Sequence, residues 1–328
     1  MKKSKTLKLF SARTIVLMLT AMFTAGAQSQ TIKFEGDGIP YKAVIDGTSD
    51  SDVNILPEEG KVINEIEYNR YFQIGVPATI VLPFPTTGMT VTGGDFYGFN
   101  GVDYNPSSGQ WEATMTRVDA NNLQRNTPYI IVPTASTLNF DLLGSDAHVF
   151  TGAATVTCDC WSFVGTYKKV YWVAKDVDVP NSEIMENDGN MHCVEVGDYY
   201  GFAANSGTAV GGESVSAGEF VKCSGNGEAN NSAFILPMRA YLQFVGNENC
   251  SANNDTQMVT RSSESSLPTS IAVVLRNADG QVASVGTVSK ETGEITFEGW
   301  FTLDGIKLPA EPTESGVYIH NGKKVVVK

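Results

Sequence analysis

Histidine is scarce in this chain, and the sequence motifs of common catalytic sites are missing. The 328 residues include three histidines, His148, His192 and His320. There is no Gly-x-Ser-x-Gly elbow, no His-Glu-x-x-His pair and no Gly-x-x-x-x-Gly-Lys-Ser/Thr phosphate loop. A glycosidase-type carboxylate pair stays open, because its two members need to meet only in space. The sequence therefore indicates no catalytic residue and no cofactor, and a secreted hydrolase is the third hypothesis for function.

Long apolar runs are also missing, apart from one near the start. The run from Ile15 to Phe23 is far shorter than the ~20 apolar residues that a membrane-spanning helix needs. Five basic residues precede it, and the small residues Ala25-Gly26-Ala27 follow it. This order is typical of a cleaved signal peptide. We therefore predict a signal peptide over 1–27, no transmembrane segment after its removal, and a secreted protein without a lipid anchor, since the first cysteine is Cys158.

Positive charge is in deficit. Lysine and arginine number 23 against 36 acidic residues, so the formal net charge is −13. Loss of the basic leader makes the mature chain still more acidic. Acidic proteins repel nucleic acid and anionic lipid, so we expect neither as a partner. Glycans or other components of the cell envelope are the expected partners.

The cysteines are few and odd in number. All five lie in the predicted mature chain, and an exported protein can form disulfides. Because five is odd, at least one should be unpaired. The disulfide candidates are Cys158, Cys160, Cys193 and Cys223, with Cys158 or Cys160 paired to Cys193 or Cys223. A zinc site of Cys158, Cys160, His192 and Cys193 is an alternative that matches no known finger spacing.

What the chain does have is a succession of short strand patterns. Thr79 to Leu82 and Thr127 to Pro133 are apolar runs typical of buried strands. Similar runs cover Trp161 to Tyr167 and Ala233 to Phe244, with Gly, Asn and Pro between them. No amphipathic helix longer than about three turns is evident. These patterns predict an all-β protein with a β-sandwich-like main body.

Changes in composition predict the domain boundaries. The segment 247–266 is polar, and such a segment cannot bury enough apolar surface to offset its ordering entropy. We predict a signal peptide over 1–27, a small N-terminal β unit over 28–69, a main β-rich domain over 70–246, a linker over 247–266 and a C-terminal β module over 267–328.

One turn in the N-terminal unit gathers three carboxylates. Asp46, Asp50 and Asp52 lie within seven residues and could hold calcium through oxygen ligands. The segment lacks the glycine and the terminal glutamate of an EF-hand. We therefore predict an exposed turn.

A short motif recurs in the main domain. The pattern Asp95-Phe-Tyr-Gly-Phe99 is matched by Asp198-Tyr-Tyr-Gly-Phe202. Each copy precedes a strand in which an aliphatic residue follows a tyrosine, at Tyr129 and at Tyr241. This echo predicts that the body contains two similar halves.

The last thirty residues read as short strands and hairpins. Trp300-Phe-Thr-Leu is followed by Asp304-Gly305, and Gly316-Val-Tyr-Ile by Asn321-Gly322 and a final Lys-Lys-Val-Val-Val-Lys. Asp-Gly and Asn-Gly supply the positive φ of tight hairpins.

This order resembles the sorting domain of the type IX secretion system, which ends many exported surface proteins of Bacteroidota and Fibrobacter. The opening phrase Phe34 to Tyr41 and the main domain also resemble β-rich surface proteins of Bacteroidota, the latter through Arg70-Tyr-Phe, Thr127-Pro-Tyr-Ile, Phe163-Val-Gly-Thr-Tyr and Pro237-Met-Arg-Ala-Tyr. The resemblance implies a place at the cell surface and carries no catalytic residue.

Aromatic residues in Gly-, Asn- and Ser-rich segments are the candidates for ligand contact. They are Tyr97, Phe99, Tyr104, Trp111, Tyr199 and Tyr200. Exposed rings can stack on the apolar faces of sugars, whereas alternate members of these strands could equally belong to the core. The leading hypothesis is an exported envelope protein with a structural or adhesive role, and the alternative is an extracellular glycan-binding module.

Overall fold

Strands make up almost all regular structure of the protein. A computed structural model describes residues 31–53, 60–152, 155–173, 192–195, 198–203, 205–208, 214–223, 234–246, 267–280, 287–288, 295–296, 300–302, 307–308, 311–313, 315–320 and 323–327. The only helical element among them is a 3-10 turn at Ala120–Asn122. The all-β prediction is therefore confirmed. None of the described helices is long or apolar enough to cross a membrane. The predicted leader and linker lie outside these residues.

The strands are numbered in chain order. They are β1 Ile32–Glu35, β2 Tyr41–Asp46, β3 Val62–Asn69, β4 Ala78–Val81, β5 Thr90–Thr92, β6 Gly94–Asn105, β7 Gln110–Val118, β8 Pro128–Pro133, β9 Asn139–Asp141, β10 Ala147–His148, β11 Thr155–Cys158, β12 Trp161–Thr166, β13 Val170–Val173, β14 His192–Glu195, β15 Tyr199–Phe202, β16 Gly207–Thr208, β17 Ser214–Val215, β18 Phe220–Lys222, β19 Phe234–Ile235, β20 Arg239–Phe244, β21 Ser270–Arg276, β22 Thr287–Val288, β23 Ile295–Thr296, β24 Trp300–Thr302, β25 Lys307–Leu308, β26 Gly316–His320 and β27 Lys323–Val327.

One sheet of ten strands forms the body, in the order β11-β12-β20-β15-β18-β21-β7-β6-β8-β4. The sheet curls until its last strand, β4, returns to β20. There the Val81 N–H donates to the Met238 carbonyl (3.2 Å), and the Ala240 N–H donates to the Thr79 hydroxyl (3.1 Å). The curled sheet encloses a continuous apolar core. The predicted sandwich-like body is therefore confirmed.

Smaller sheets complete the structure. Their orders are β1-β2-β3-β10, β14-β13-β19, β16-β17, β22-β23, β25-β24-β26-β27 and β5-β9. The last strands of the chain thus form a four-stranded antiparallel sheet, in which the Trp300 and His320 rings stack with centroids 4.2 Å apart.

Two parts of the large sheet repeat one strand arrangement. The strands β4, β6, β7 and β8 have the order β7-β6-β8-β4, and β12, β15, β18 and β20 have the order β18-β15-β20-β12. Strand β21 lies between the two sets. The registers also agree at the repeated motif. Tyr97 pairs with Ile130 and Tyr200 with Leu242, and each of these partners directly follows a tyrosine.

The same turn precedes β8 and β20. Asn126 has φ 60° and its N–H donates to the Leu82 carbonyl at 2.7 Å. Met238 has φ 56° and its N–H donates to the Thr166 carbonyl at 2.7 Å. A positive φ is uncommon for residues other than glycine. Its recurrence with the same hydrogen bond indicates that the two turns have the same local structure. The predicted two similar halves are confirmed.

The N-terminal strands share the core of the body. Strand β10, which follows β9 in the chain, pairs with β3 and so joins the first sheet to residues far along the sequence. Ile45 and Ile63 are completely buried in the same apolar cluster as Ile80 and Ile130. The predicted unit over 28–69 is therefore packed into the main domain.

The predicted boundary at residue 267 needs correction. Strand β21 lies beyond the polar segment, yet it is inserted in the large sheet, parallel to β7 and antiparallel to β18. Ile271 is completely buried there, and the Tyr200 hydroxyl donates to the Pro268 carbonyl at 2.7 Å. The composition change marks a long connection, and the strand after it returns to complete the body.

The hydrogen bond between β4 and β20 provides a test of the curled sheet. In Thr79→Val, the buried Ala240 N–H loses its acceptor while the side-chain volume is almost unchanged. Because an unsatisfied buried donor is costly, we expect the free energy of unfolding in urea to fall by about 1–3 kcal/mol. The control Thr92→Val lies on an exposed face of β5, where a change within about 0.5 kcal/mol is expected. Equal unfolding midpoints for the two variants would contradict the closure.

Candidate functional site

Three of the six aromatic candidates belong to the core. Tyr97, Phe99 and Tyr200 retain at most a few per cent of their surface exposed. Tyr97 and Phe99 lie on a central strand whose inner face packs against the facing layer, where Phe99 contacts Phe163 at 5.8 Å between centroids. These rings have no free face for a ligand. Their designation as ligand-contact residues is therefore corrected, and they stabilise the curled sheet instead.

Tyr104 and Trp111 form an aromatic pair at the surface. They are direct cross-strand partners near the end of the β6–β7 hairpin, with centroids 5.9 Å apart in an edge-on arrangement. Tyr104 is 53% exposed, and Trp111 is half-buried. Pairs of this geometry add about 0.5–1.5 kcal/mol beyond the burial of area. The exposed ring of Tyr104 is thus held in one place.

The pair is anchored in the core by further aromatic contacts. Trp111 lies 6.4 Å from Trp161, which is almost completely buried. Trp161 in turn packs edge-on against Tyr200 at 5.4 Å and Phe244 at 5.1 Å. A continuous row of rings therefore runs from the centre of the molecule to the surface, which we call the aromatic row. Side chains locked by such packing are suited to bind a partner without prior rearrangement.

A bulge in β6 places Tyr104 at the end of this row. The register with β7 shifts between Phe99 and Gly101, and Gly101 has φ 125°, a conformation that L side chains rarely adopt. Strict alternation would put Phe99 and Tyr104 on opposite faces, because they are five residues apart. The extra residue brings both to the inner face.

The opposite side of the hairpin end is polar. The Asn105 amide and the Ser108 hydroxyl each donate to the same Glu112 carboxylate oxygen at 2.8 Å. The Ser107 N–H donates to the Asn105 side-chain oxygen at 2.9 Å, which closes the turn. The hairpin end therefore has aromatic rings on one face and a closed polar turn on the other.

Tyr199 lies in a second aromatic cluster around Trp172. It is half-buried, 6.2 Å from Trp172 and 6.0 Å from Tyr241 between ring centroids. Burial raises the pKa of Tyr241 to about 12. Tyr199 is the one candidate beside Tyr104 and Trp111 that keeps part of its surface exposed, but it is not in the aromatic row.

Several exposed apolar side chains were not singled out from the sequence. Tyr71 is 83% exposed and Ile74 is 63% exposed, on the loop between β3 and β4. The loop is fixed, because the buried Phe72 donates its N–H to the Ser136 carbonyl (2.9 Å) and Gly75 donates to the Pro133 carbonyl (2.8 Å). Phe234, also exposed, packs against Tyr171 at 5.7 Å. Irregular backbone has no periodicity, so sequence patterns could not separate exposed from buried positions here.

The cysteine predictions are partly corrected. Cys158 and Cys223 are free thiols, so neither belongs to a disulfide. Cys160 is disulfide-bonded, as predicted, to a cysteine whose side chain is outside the described set. The side chain of Cys193 is outside that set too. Cys158 occupies a strand position facing Phe99, where its thiol contacts the Phe99 carbonyl at 3.9 Å, and Cys223 is buried against Trp172.

The acidic turn after β2 uses its carboxylates for protein contacts. Asp46 accepts from the Thr48 N–H (2.9 Å) and hydroxyl (2.6 Å). Asp50 forms an ion pair with Lys169 at 3.2 Å, and Asp52 accepts from the Lys169 N–H at 2.8 Å. Among the described residues, no group of three His, Cys, Asp or Glu side chains could hold a metal ion. The turn docks the first sheet onto the connection between β12 and β13.

Two arginines meet where the first sheet joins the body, and we call this place the arginine junction. The Arg70 Nη1 donates to the Thr79 carbonyl at 2.9 Å, and the Arg239 Nη2 donates to the Gly47 carbonyl at 2.8 Å. Burial lowers the pKa of Arg70, and the adjacent Tyr68 raises it. Burial and then the charge of Arg70 lower the pKa of Arg239 to about 9. A guanidinium group is not deprotonated in proteins, so both side chains are cationic at neutral pH.

The two free thiols should differ from ordinary cysteines in their reaction with iodoacetamide. Burial raises the pKa of Cys223 to about 12, so at pH 8 only about one molecule in ten thousand carries the reactive thiolate. We expect Cys223 to stay unmodified in the native protein while half-buried Cys158 reacts slowly, as peptide mass spectrometry can show. In guanidinium both should react at equal rates, with Cys160 protected until reduction. Native Cys223 reacting as fast as Cys158 would contradict the burial.

In comparisons with known proteins, no protein-family model, no curated protein and no solved structure matches this chain.

Proposed function

We propose that this protein is exported to the cell envelope and has a structural or adhesive role there. The basic leader followed by a short apolar run supports export, and the order of the C-terminal residues supports a place at the cell surface. The body is a curled sheet around a large apolar core, which suits a scaffold that keeps its shape outside the cell. The observation that carries the adhesive role is the fixed loop with Tyr71 and Ile74.

That loop exposes apolar side chains to water, which is unfavourable in free energy. A partner that covered these side chains would remove the unfavourable contact with water. Tyr71 and Ile74 keep most of their surface in water although the loop itself is held by backbone hydrogen bonds. Exposed apolar surface is stabilised when it is covered, by about 25 cal/mol per Å². Since the backbone is already ordered, little conformational entropy opposes binding there. The loop is therefore suited to contact another envelope component.

The adhesive role can be tested by co-sedimentation. The purified mature chain, residues 28–328, is mixed with envelope fragments of the producing bacterium and centrifuged. We expect binding that falls at least about fivefold in the double variant Tyr71→Ser/Ile74→Ser, because the variant loses about 1–3 kcal/mol of apolar contact. The control Leu143→Ser removes an exposed apolar side chain from another turn and should bind as the unmodified chain does. Binding that is absent, or unaffected by the double substitution, would exclude this loop as the adhesive surface.

The second candidate function is glycan binding at the end of the aromatic row. Tyr104 supports it, because its ring is exposed and packs edge-on against Trp111. The apolar C–H face of a sugar can stack on such a ring. This arrangement uses few residues and predicts weak binding of neutral oligosaccharides.

Tryptophan fluorescence provides the test of glycan binding, since Trp111 is half-exposed beside the site. Cello-, xylo-, malto-, manno- and chito-oligosaccharides are titrated into the mature chain. We expect one of these classes to change the fluorescence saturably, with Kd raised about tenfold or more in Tyr104→Ala. Tyr71→Ala, an exposed tyrosine away from the row, should leave Kd unchanged. If no class gives saturable binding, the aromatic row is structural and the adhesive role stands alone.

A further inference from the structure

The arginine junction lies where two parallel strands end against the large sheet. Strands β2 and β3 run parallel, so their carboxyl ends, Asp46 and Asn69, are neighbours. Gly47 and Arg70 directly follow them. On the side of the body, Thr79 is in β4 and Arg239 begins β20. The junction therefore brings together four segments that are distant in sequence.

The positive charges at the junction have no negative counterpart in the described part of the chain. Arg70 donates to one carbonyl, and Arg239 donates to those of Gly47, Pro237 and Met238. The ion pairs of Lys42, Arg117 and Lys169 with carboxylates do not extend to either arginine. Buried charges are strongly destabilising unless they are paired. An anion bound between Arg70 and Arg239 would therefore stabilise the junction.

The junction also has unused hydrogen-bond donors. A guanidinium group carries five N–H donors, and Arg70 has one hydrogen bond, to Thr79. The Tyr68 hydroxyl is buried beside the Arg70 guanidinium and makes no hydrogen bond of good geometry. A buried hydroxyl without a partner is rare and indicates an additional group at the site.

At Gly47 the backbone packs closely against these groups. A methyl group at Gly47 would lie 2.9 Å from Arg70 Cβ and 3.1 Å from the Tyr68 hydroxyl oxygen. The glycine therefore lets the backbone approach both side chains. Arg70 is buried, whereas Arg239 is partly exposed, so a small ion could reach the junction from the side of Arg239.

We propose that the arginine junction binds a small inorganic anion of about the size of chloride, held by the guanidinium groups of Arg70 and Arg239 and by the hydroxyl of Tyr68. The anion neutralises the shared positive charge and accepts the unused hydrogen bonds. By bridging residues of the first sheet and the body, it also ties the two together. This site adjoins the base of the Tyr71 loop, because the Arg70 guanidinium packs on the Phe72 ring at 4.4 Å from its centroid. The anion site itself does not depend on the proposed function.

Chloride-35 NMR tests the site directly, because the chloride signal broadens when the ion is held by a protein. Sodium chloride is titrated into the full mature chain, and bromide is then added as a competitor. We expect saturable broadening that bromide removes. Arg239→Gln should reduce the affinity for chloride about tenfold or more, since a hydrogen bond from a charged donor is lost. Tyr68→Phe removes only the hydroxyl and should reduce it severalfold.

The controls separate this site from general surface attraction. Arg117→Gln removes an exposed arginine that is paired with Asp95 and should bind chloride as the unmodified chain does. If Arg239→Gln does not fold, Tyr68→Phe decides the question, because the phenyl ring still fills the core. Broadening that is equal in the unmodified chain and in Tyr68→Phe, or broadening that never saturates, would overturn the proposal. A higher unfolding temperature in chloride than in gluconate at equal ionic strength, lost in Tyr68→Phe, would support it.

Discussion

The hydrogen bonds of Thr79 hold together the parts of the molecule that the chain itself keeps apart. Its hydroxyl accepts from Ala240 in β20, and its carbonyl accepts from Arg70 at the end of the first sheet. A single residue on β4 thus joins two distant strands of the curled sheet, β4 and β20, to the N-terminal strands. Without this closure, β4 would be an open edge, and open edges promote wrong pairing between chains.

The same closure explains why so many aromatic side chains can be buried. When the sheet curls, the inner faces of both halves meet, and rings from each half contact one another, as Phe99 does with Phe163. The aromatic row continues this packing beyond the core to Trp111 and Tyr104. The position of the exposed Tyr104 ring therefore depends on the stability of the body, because Tyr104 rests on the rings that hold the layers together.

The positions of the strands could be predicted from the sequence better than the pairing of the strands in the sheet. The apolar run from Thr127 to Pro133 corresponds closely to β8, because burial on both faces leaves a local signal. The insertion of β21 in the large sheet has no such local signal, because local composition does not show which distant strands pair. The bulge at Gly101 reversed the alternation that separates Phe99 from Tyr104. Of the six aromatic candidates, Tyr97, Phe99 and Tyr200 are buried, in agreement with the interpretation that alternate members of these strands belong to the core.

The arginine junction could not be predicted from sequence patterns for a similar reason. Arg70 and Arg239 are separated by most of the main domain, and each lies in an ordinary strand-flanking position. Only the curled sheet brings them to Gly47. The sequence alone does not show which charges meet through the tertiary fold. It does show that the Asp-aromatic-Tyr-Gly-Phe motif occurs twice, because both copies occupy equivalent local positions.

The two halves of the large sheet differ in the hairpins that follow the repeated motif. Phe99 pairs with Met115 in the first half, and Phe202 pairs with Phe220 in the second. In the second half Ala203 exchanges backbone hydrogen bonds with Gly218 and Glu219 after this pair. The hairpin then continues as β16 and β17, in which Gly207 pairs with Val215 and Thr208 with Ser214. In the first half the hairpin continues past the bulge as far as the pair of Asn105 and Gln110.

Tyr104 and Trp111 belong to that additional length. The second half also extends its hairpin, as β16 and β17, and residues 203–219 contain no aromatic side chain, so the extension itself does not require these two residues. The first half stabilises its hairpin end with an edge-on aromatic pair and a closed polar turn. Tyr104 and Trp111 are thus the part of the aromatic row that the shared fold does not specify, whereas Trp161, Tyr200 and Phe244 belong to the core.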